Sequence, residues 1–219
     1  MLIVHSFDPV VLVGGADLGP EDFNIVQTEM TTFVGVDGGA DHLLGRGITP
    51  VAVIGDFDSL SDAARAAFGP VLHHIPEQAT VDFEKAVSNI DAPLIYAVGF
   101  AGGRLDHTLA VLHVMGRYKD RSILLVSADD VSMIVPDTGL TLSLEVGTRI
   151  SLMPLTGSTV QATGLRWDVD GQGMEPLGFT SPSNEVAAPT VTLAAQGCVI
   201  VTVPRSALGA LAQGAVRAK

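Results

Sequence analysis

One cysteine, Cys198, is all that the chain contains. An intrachain disulfide is therefore excluded, as is a zinc site built on several thiolates. Cys198 opens the apolar run to Val203 and reads as a small core residue rather than a nucleophile. Basic residues are scarce too: 12 Lys and Arg stand against 24 Asp and Glu, a net charge of −12. So acidic a chain is unsuited to holding nucleic acid, whose phosphates demand a basic face. A phosphorylated small molecule is not excluded, because a metal ion bridges acidic side chains to an anionic ligand. No apolar run is long enough to cross a membrane; Val10 to Val13 and Ser122 to Val126 are strand-sized. The N-terminus lacks a basic stretch leading into an apolar one, which predicts no signal peptide and a cytoplasmic protein.

What the chain does have is apolar residues, 47% of 219. That is enough to build the core of one large domain or two small ones. Up to about residue 130, short apolar runs alternate with helical patterns. Strands are expected at Val10–Val13, Phe33–Val36, Val51–Ile54, Val71–Ile75, Leu94–Val98 and Ile123–Val126. Helices are expected at Ala40–Arg46, Ser61–Phe68 with Ser61 as cap, Asp82–Ile90 and Leu105–Tyr118. In the last, Leu105, Leu109, Leu112 and Met115 recur at three- and four-residue spacing. This alternation predicts an α/β domain with a largely parallel sheet over residues 1–130. Beyond it, β-prone runs at Val131–Val135, Leu140–Leu144, Arg149–Met153, Thr159–Ala162, Thr190–Leu193 and Val199–Val203 predict an all-β sandwich or barrel over residues 131–219. A helix is expected only in the last dozen residues, and residues 164–189 read as a long irregular stretch.

Ligands of open parallel sheets bind beyond the carboxyl ends of the strands. Three clusters fall at such ends. Asp37-Gly38-Gly39-Ala40 joins a strand to a helix whose free N–H groups suit an anion; Asp-Gly is also an ordinary turn. Gly55-Asp56-Phe57-Asp58-Ser59 places two carboxylates one residue apart. If extended, it directs both to one face, where they repel unless a cation such as Mg²⁺ lies between them. A solvated loop capping the next helix is the bland alternative, and the position directly after a buried strand favours the metal. Gly102-Gly103-Arg104-Leu105-Asp106-His107 offers a guanidinium fork for phosphate oxygens. Asp106 either caps the helix or assists the metal or an acceptor hydroxyl, and His107 reads as a helix-surface or packed residue. Gln78 precedes a helix that opens on Asp82, where an acid suits the helix dipole.

In this order the stretches resemble the thiamine pyrophosphokinase family. Asp82-Phe83-Glu84-Lys85-Ala86, Ser151-Leu152-Met153-Pro154-Leu155, Gly164-Leu165-Arg166-Trp167 and Ser183-Asn184-Glu185 continue the likeness, which extends from about residue 10 to about residue 203. The resemblance implies an N-terminal nucleotide-binding α/β domain and a C-terminal β-sandwich for thiamine binding and dimerisation. It implies a homodimer with active sites shared between subunits. It implies transfer of the pyrophosphoryl group of ATP to thiamine. Asp56, Asp58 and Asp82 match its metal-binding acids. Asp37, Gly38, Gly39, Arg104 and Asp106 match positions near the ATP phosphates and the catalytic centre. Gln78, Ser183 and Asn184 match positions that hold thiamine. Val81 stands where the family usually has threonine, with Thr80 as a neighbouring hydroxyl, and Val111 where it often has asparagine. Two other readings remain at this point. A phosphohydrolase of the haloacid dehalogenase type would use the Asp56 loop as nucleophile and Asp129-Asp130 as a second acidic pair. A relative without turnover would bind thiamine or nucleotide only.

Overall fold

A computed structural model describes residues 2–19, 22–23 and 32–218. The chain forms two compact units. The first comprises Met1–Val114 with Leu125–Ala128, and the second Met115–Leu124 with Asp129–Lys219.

In the first unit the elements run β1 (Val4–His5), β2 (Val10–Val13), β3 (Phe33–Val36), α1 (Gly39–Gly45), β4 (Ala52–Gly55), α2 (Asp62–Phe68), β5 (Leu72–His74), α3 (Asp82–Ser88), β6 (Ile90–Asp91) and β7 (Ile95–Val98). Helix α4 (Leu105–Arg117) and strand β8 (Ile123–Val126) each straddle the division. Strands β7, β2, β3, β4 and β5 lie side by side in that order, every pairing parallel. Strands β2, β3, β4 and β7 are buried at every residue. Continuous burial is what a parallel sheet covered on both faces requires, and it explains why these strands read as unbroken apolar runs. Ser61 caps α2 as expected, its hydroxyl accepting from the Ala64 N–H at 3.1 Å. Strands β1 and β6 pair separately and in parallel.

Helix α4 departs from the simple amphipathic expectation. Leu105 and Leu109 are 71% and 57% exposed, and the buried stripe begins only with Val111, Val114 and Met115. The three- and four-residue spacing is real, but its first two turns face solvent.

The second unit is antiparallel. It contains β9 (Asp130–Ile134), β10 (Leu140–Ser143), β11 (Arg149–Pro154), β12 (Ser158–Thr163), β13 (Gln172–Met174), β14 (Ser181–Glu185), β15 (Thr190–Gln196), β16 (Val199–Pro204) and α5 (Leu208–Arg217). Strands β14, β11, β16 and β9 pair in that order. Strands β10, β15, β12 and β13 make a four-stranded antiparallel sheet. Alternating burial along β10, β12 and β15 shows that this sheet hides one face. Residues 164–189 are not the irregular stretch that their composition suggests, because they supply β13, β14 and a bridge between Leu165 and Val186. Gly, Pro and Ser conceal these strands because polar and backbone contacts hold them rather than an apolar alternation.

The glycines at the strand ends permit backbone contact that no other residue allows. A Cβ on Gly39 would lie 1.8 Å from the Val13 carbonyl oxygen, and one on Gly14 would lie 2.4 Å from that of Gly99. Replacing Gly39 with alanine must push α1 away from β2. We expect Gly39→Ala to lower the unfolding free energy by about 3 kcal/mol, the upper range for overpacking, measured by urea denaturation.

Candidate active site

The carboxyl ends of β3 and β4 lie side by side, and each continues directly into an aspartate. The Asp37 N–H extends the pairing by donating to the Ile54 carbonyl at 2.9 Å. Beyond Gly55 come Asp56, Phe57 and Asp58. One carboxylate oxygen from each of Asp37, Asp56 and Asp58 lies within 4.8 Å of the others. Oxygens around one small divalent cation at about 2.1 Å stand at most about 4.2 Å apart, so the group is nearly at coordinating distance.

The proximity of Asp56 and Asp58 does not come from an extended chain, as the sequence pattern suggested. Phe57 has φ of 66°, in the left-handed region. For a bulky residue this costs about 1–3 kcal/mol and persists only where its surroundings enforce it. The turn lets the Asp58 N–H donate to Asp56 Oδ1 at 3.3 Å. The Phe57 ring is buried and stacks on His74, with centroids 5.4 Å apart. Ser59 donates to Asp58 Oδ1 at 2.8 Å.

Asp37 is the least comfortable member. It is only 8% exposed, its φ is 47°, and its Oδ1 is buried with no hydrogen-bond partner. Burial pushes its carboxyl above the ordinary range, and the nearby charges of Asp82 and Asp58 add to the effect. Hydrogen bonds from Gly38 and Ser59 only partly oppose them. An orphaned carboxylate oxygen aimed among other acids is the environment that a hard cation satisfies. The residues therefore fit Mg²⁺.

Asp82, at the start of α3, joins the cluster from the side. Its Oδ1 accepts from the Asp56 N–H at 3.3 Å. Lys85, one turn further along α3, donates to Asp82 Oδ1 at 2.9 Å and to Asp56 Oδ2 at 3.1 Å. The Lys85 side chain is 2% exposed. Burial alone would lower its pKa, but the two carboxylates outweigh burial and raise it. Burial likewise tends to raise the Asp56 carboxyl, yet Lys85, the Asp58 N–H and Gln78 hold it below the usual range. Lys85 carries no assignment from the sequence alone. Its signal was the three-residue spacing from Asp82, which any surface pair on a helix also shows.

Gln78 donates to Asp56 Oδ2 at 3.0 Å. Thr80 bonds to the Glu77 carboxylate, so its hydroxyl is occupied rather than standing in for the one missing at Val81. Arg104 and Asp106 are exposed and grip each other, Nε to Oδ1 at 3.2 Å and Nη2 to Oδ2 at 2.6 Å. This pairing holds the Asp106 carboxyl below its ordinary value. Asp106 is the second residue of α4 and not its cap. Gly38 and Gly39 open α1. Ser183 and Asn184 belong to β14 in the second unit. Asn184 is 2% exposed, and its amide is spent within the chain. It donates to the Trp167 carbonyl at 2.7 Å and to Ser181 Oγ at 3.0 Å, and it accepts from the N–H groups of Trp167 and Glu185. Ser183 is exposed at φ of 55°, its N–H donating to Ser151 Oγ at 3.0 Å. Trp167 is 53% exposed, with the Arg166 guanidinium 5.2 Å from its ring centre.

The strand order reverses beside β2, which has β3 on one side and β7 on the other. Such a reversal is where open α/β sheets bind ligands, and here it is flanked by Gly14, Gly15 and Gly99.

Two family models match the chain: "Thiamin pyrophosphokinase, catalytic domain" over residues 23–126 and "Thiamin pyrophosphokinase, vitamin B1 binding domain" over residues 139–196. The chain belongs to the thiamine pyrophosphokinase family. Among its relatives, thiamine pyrophosphokinase 1 of rice is 28% identical over 174 residues, covering 70% of this chain and 66% of the relative, just under two thirds of its length. Thiamin pyrophosphokinase 1 of Caenorhabditis elegans is 25% identical over 189 residues, covering 78% of this chain and 77% of the relative. The crystal structure of thiamin pyrophosphokinase from Geobacillus thermodenitrificans matches with a TM-score of 0.75 at 25% identity, covering 91% of this chain and all of that one. The yeast thiamin pyrophosphokinase structure has the same fold at 18% identity, with a TM-score of 0.74 over 91% of this chain and 86% of that one.

Asp37→Asn keeps the shape of this site and replaces an orphaned acceptor with a donor that faces Asp58 and Asp82. It should stabilise the metal-free protein at neutral pH by about 1 kcal/mol. Because burial raises the Asp37 pKa in the folded state, the parent regains that stability as pH falls and Asp37 takes up a proton. Thermal melts should therefore show the advantage of the variant shrinking towards acid pH.

Proposed function

We propose that this chain transfers the pyrophosphoryl group of ATP to the hydroxyl of thiamine, giving thiamine diphosphate and AMP. Family membership supports the reaction. The observation that carries its chemistry is the gathering of Asp37, Asp56 and Asp58 around a buried, unpartnered carboxylate oxygen.

Asp56 and Asp58, with Asp37 beside them and Asp82 braced through Lys85, would hold Mg²⁺. When bound, it supplies positive charge that neutralises the phosphate oxygens. The chain's own residues do the rest. Lys85 holds Asp56 and Asp82 in place and keeps the Asp56 carboxyl below its ordinary range. Gly38 and Gly39 at the start of α1 would offer backbone N–H groups to phosphate oxygens. Arg104, whose fork now holds one carboxylate, would exchange it for phosphate oxygens of similar geometry. The thiamine oxygen bonds to the β-phosphorus, the bond from that phosphorus to the bridging oxygen of AMP breaks, and the hydroxyl proton passes to a carboxylate, Asp106 or Asp82.

The same reading assigns residues 1–130 to ATP binding and catalysis, and residues 131–219 to a β-sandwich that binds thiamine and dimerises. Gln78 and Ser183 would contact thiamine. Asn184, with its amide already committed, would act by holding the Trp167 segment against β14. A cytoplasmic homodimer with shared sites completes the proposal. The phosphohydrolase reading gains no support: Asp130 pairs with Arg149, and the family matches point elsewhere.

The test is to incubate the protein with ATP, MgCl₂ and thiamine and to separate the products. Thiamine diphosphate with an equal amount of AMP, abolished by EDTA, is the expected outcome. ADP with thiamine monophosphate, or phosphate release without thiamine, would overturn the reading. Asp56→Asn and Asp58→Asn should each lower kcat by about a hundredfold or more, the scale of losing a charge-stabilising group.

A further inference from the structure

We infer that Arg65 of α2 is a positioning residue for the cation-binding carboxylates. This rests on the cation reading just given. Its Nη2 donates to the Phe57 carbonyl at 3.0 Å, and its guanidinium lies 5.6 Å from the centre of the Phe57 ring. Phe57 is the left-handed residue between Asp56 and Asp58. Two features of α2 aim Arg65 at it. Ser61 fixes the start of the helix by capping Ala64, and Ser61 is itself held by Asp41 of α1 through its N–H at 3.2 Å and its hydroxyl. Arg65 then lies one turn along, its own N–H bonded to the Ser61 carbonyl at 2.9 Å.

The consequence follows from backbone geometry. In an extended strand the side chains of residues 56 and 58 would run parallel from Cα atoms roughly 7 Å apart. With the left-handed turn at Phe57, their carboxylates have an oxygen each within 4.8 Å of one another and of one from Asp37. His74 holds the ring by stacking, but Arg65 is the side chain that bonds the Phe57 carbonyl. Removing that donor lets the peptide after Phe57 rotate, and the Asp58 carboxylate drifts from the other two. A partner that orients a metal ligand typically matters 10- to 100-fold in metal affinity.

The experiment is calorimetric titration of the full chain with Mg²⁺ alone, for the parent and for Arg65→Gln, together with thermal melts. The expected result is about a tenfold weaker Kd for Arg65→Gln, with a melting temperature close to that of the parent. A Kd within twofold of the parent overturns the inference even if the melting temperature falls, since that is what a purely structural arginine would produce. Arg65→Lys retains one donor and should bind Mg²⁺ more weakly than the parent but more tightly than Arg65→Gln. If the glutamine variant does not fold, the lysine variant decides alone, with parent-like affinity counting against the inference. Should the parent itself bind no Mg²⁺, the cation reading falls and this inference falls with it, a result distinct from equal binding by parent and variant.

Discussion

Like charges gathered at the ends of adjacent parallel strands are the constraint on which the rest of this structure depends. Asp37, Asp56, Asp58 and Asp82 bring four carboxylates together, and Lys85 is the buried cation that touches two of them. Coulomb repulsion at such distances is worth several kcal/mol at protein-like dielectric. The fold must hold these groups against it. It does so with rigid parts: the buried strands β3 and β4, helix α2 fixed at its start by Ser61, and glycines that let backbones touch. The residual charge and the orphaned Asp37 oxygen are then what a divalent cation and its phosphate ligand would satisfy.

Among the described residues, three that are not glycine have positive φ: Asp37, Phe57 and Ser183. Each lies in a segment marked out by its side-chain chemistry, at Asp37-Gly38-Gly39, Asp56-Phe57-Asp58 and Ser183-Asn184-Glu185. Strain of this kind survives only where packing and hydrogen bonds over-determine it. At Phe57 the enforcing groups are visible in Arg65 and His74. At Ser183 they are the Ser151 hydroxyl and the Asn184 bracket next to it. The strain supports a functional reading of all three segments and explains why their neighbours are so heavily bonded.

Strands β2, β3, β4 and β7 were legible in the sequence because burial on both faces writes them as plain apolar runs, and Ser61 announced α2 through a local capping rule. The aspartates were legible because they follow those strands. What sequence reasoning missed has a common cause: it depends on partners distant in the chain. Lys85 looks like an ordinary helix lysine until Asp56, 29 residues away, closes on it. The bonds of the Asn184 amide to the Trp167 backbone, 17 residues away, are equally invisible in the sequence. Strands β13 and β14 carry glycine, proline and serine, so no alternation reveals them. Leu105 and Leu109 have helical spacing, but spacing alone does not say whether anything covers that face.

The most direct test of the account is a crystal structure with Mg²⁺ and a non-hydrolysable ATP analogue. The account predicts a cation held among the carboxylates of Asp37, Asp56, Asp58 and Asp82, with Lys85 still bound to Asp82. A cation bound to the phosphates alone, with Asp37 Oδ1 left unpartnered, would contradict it.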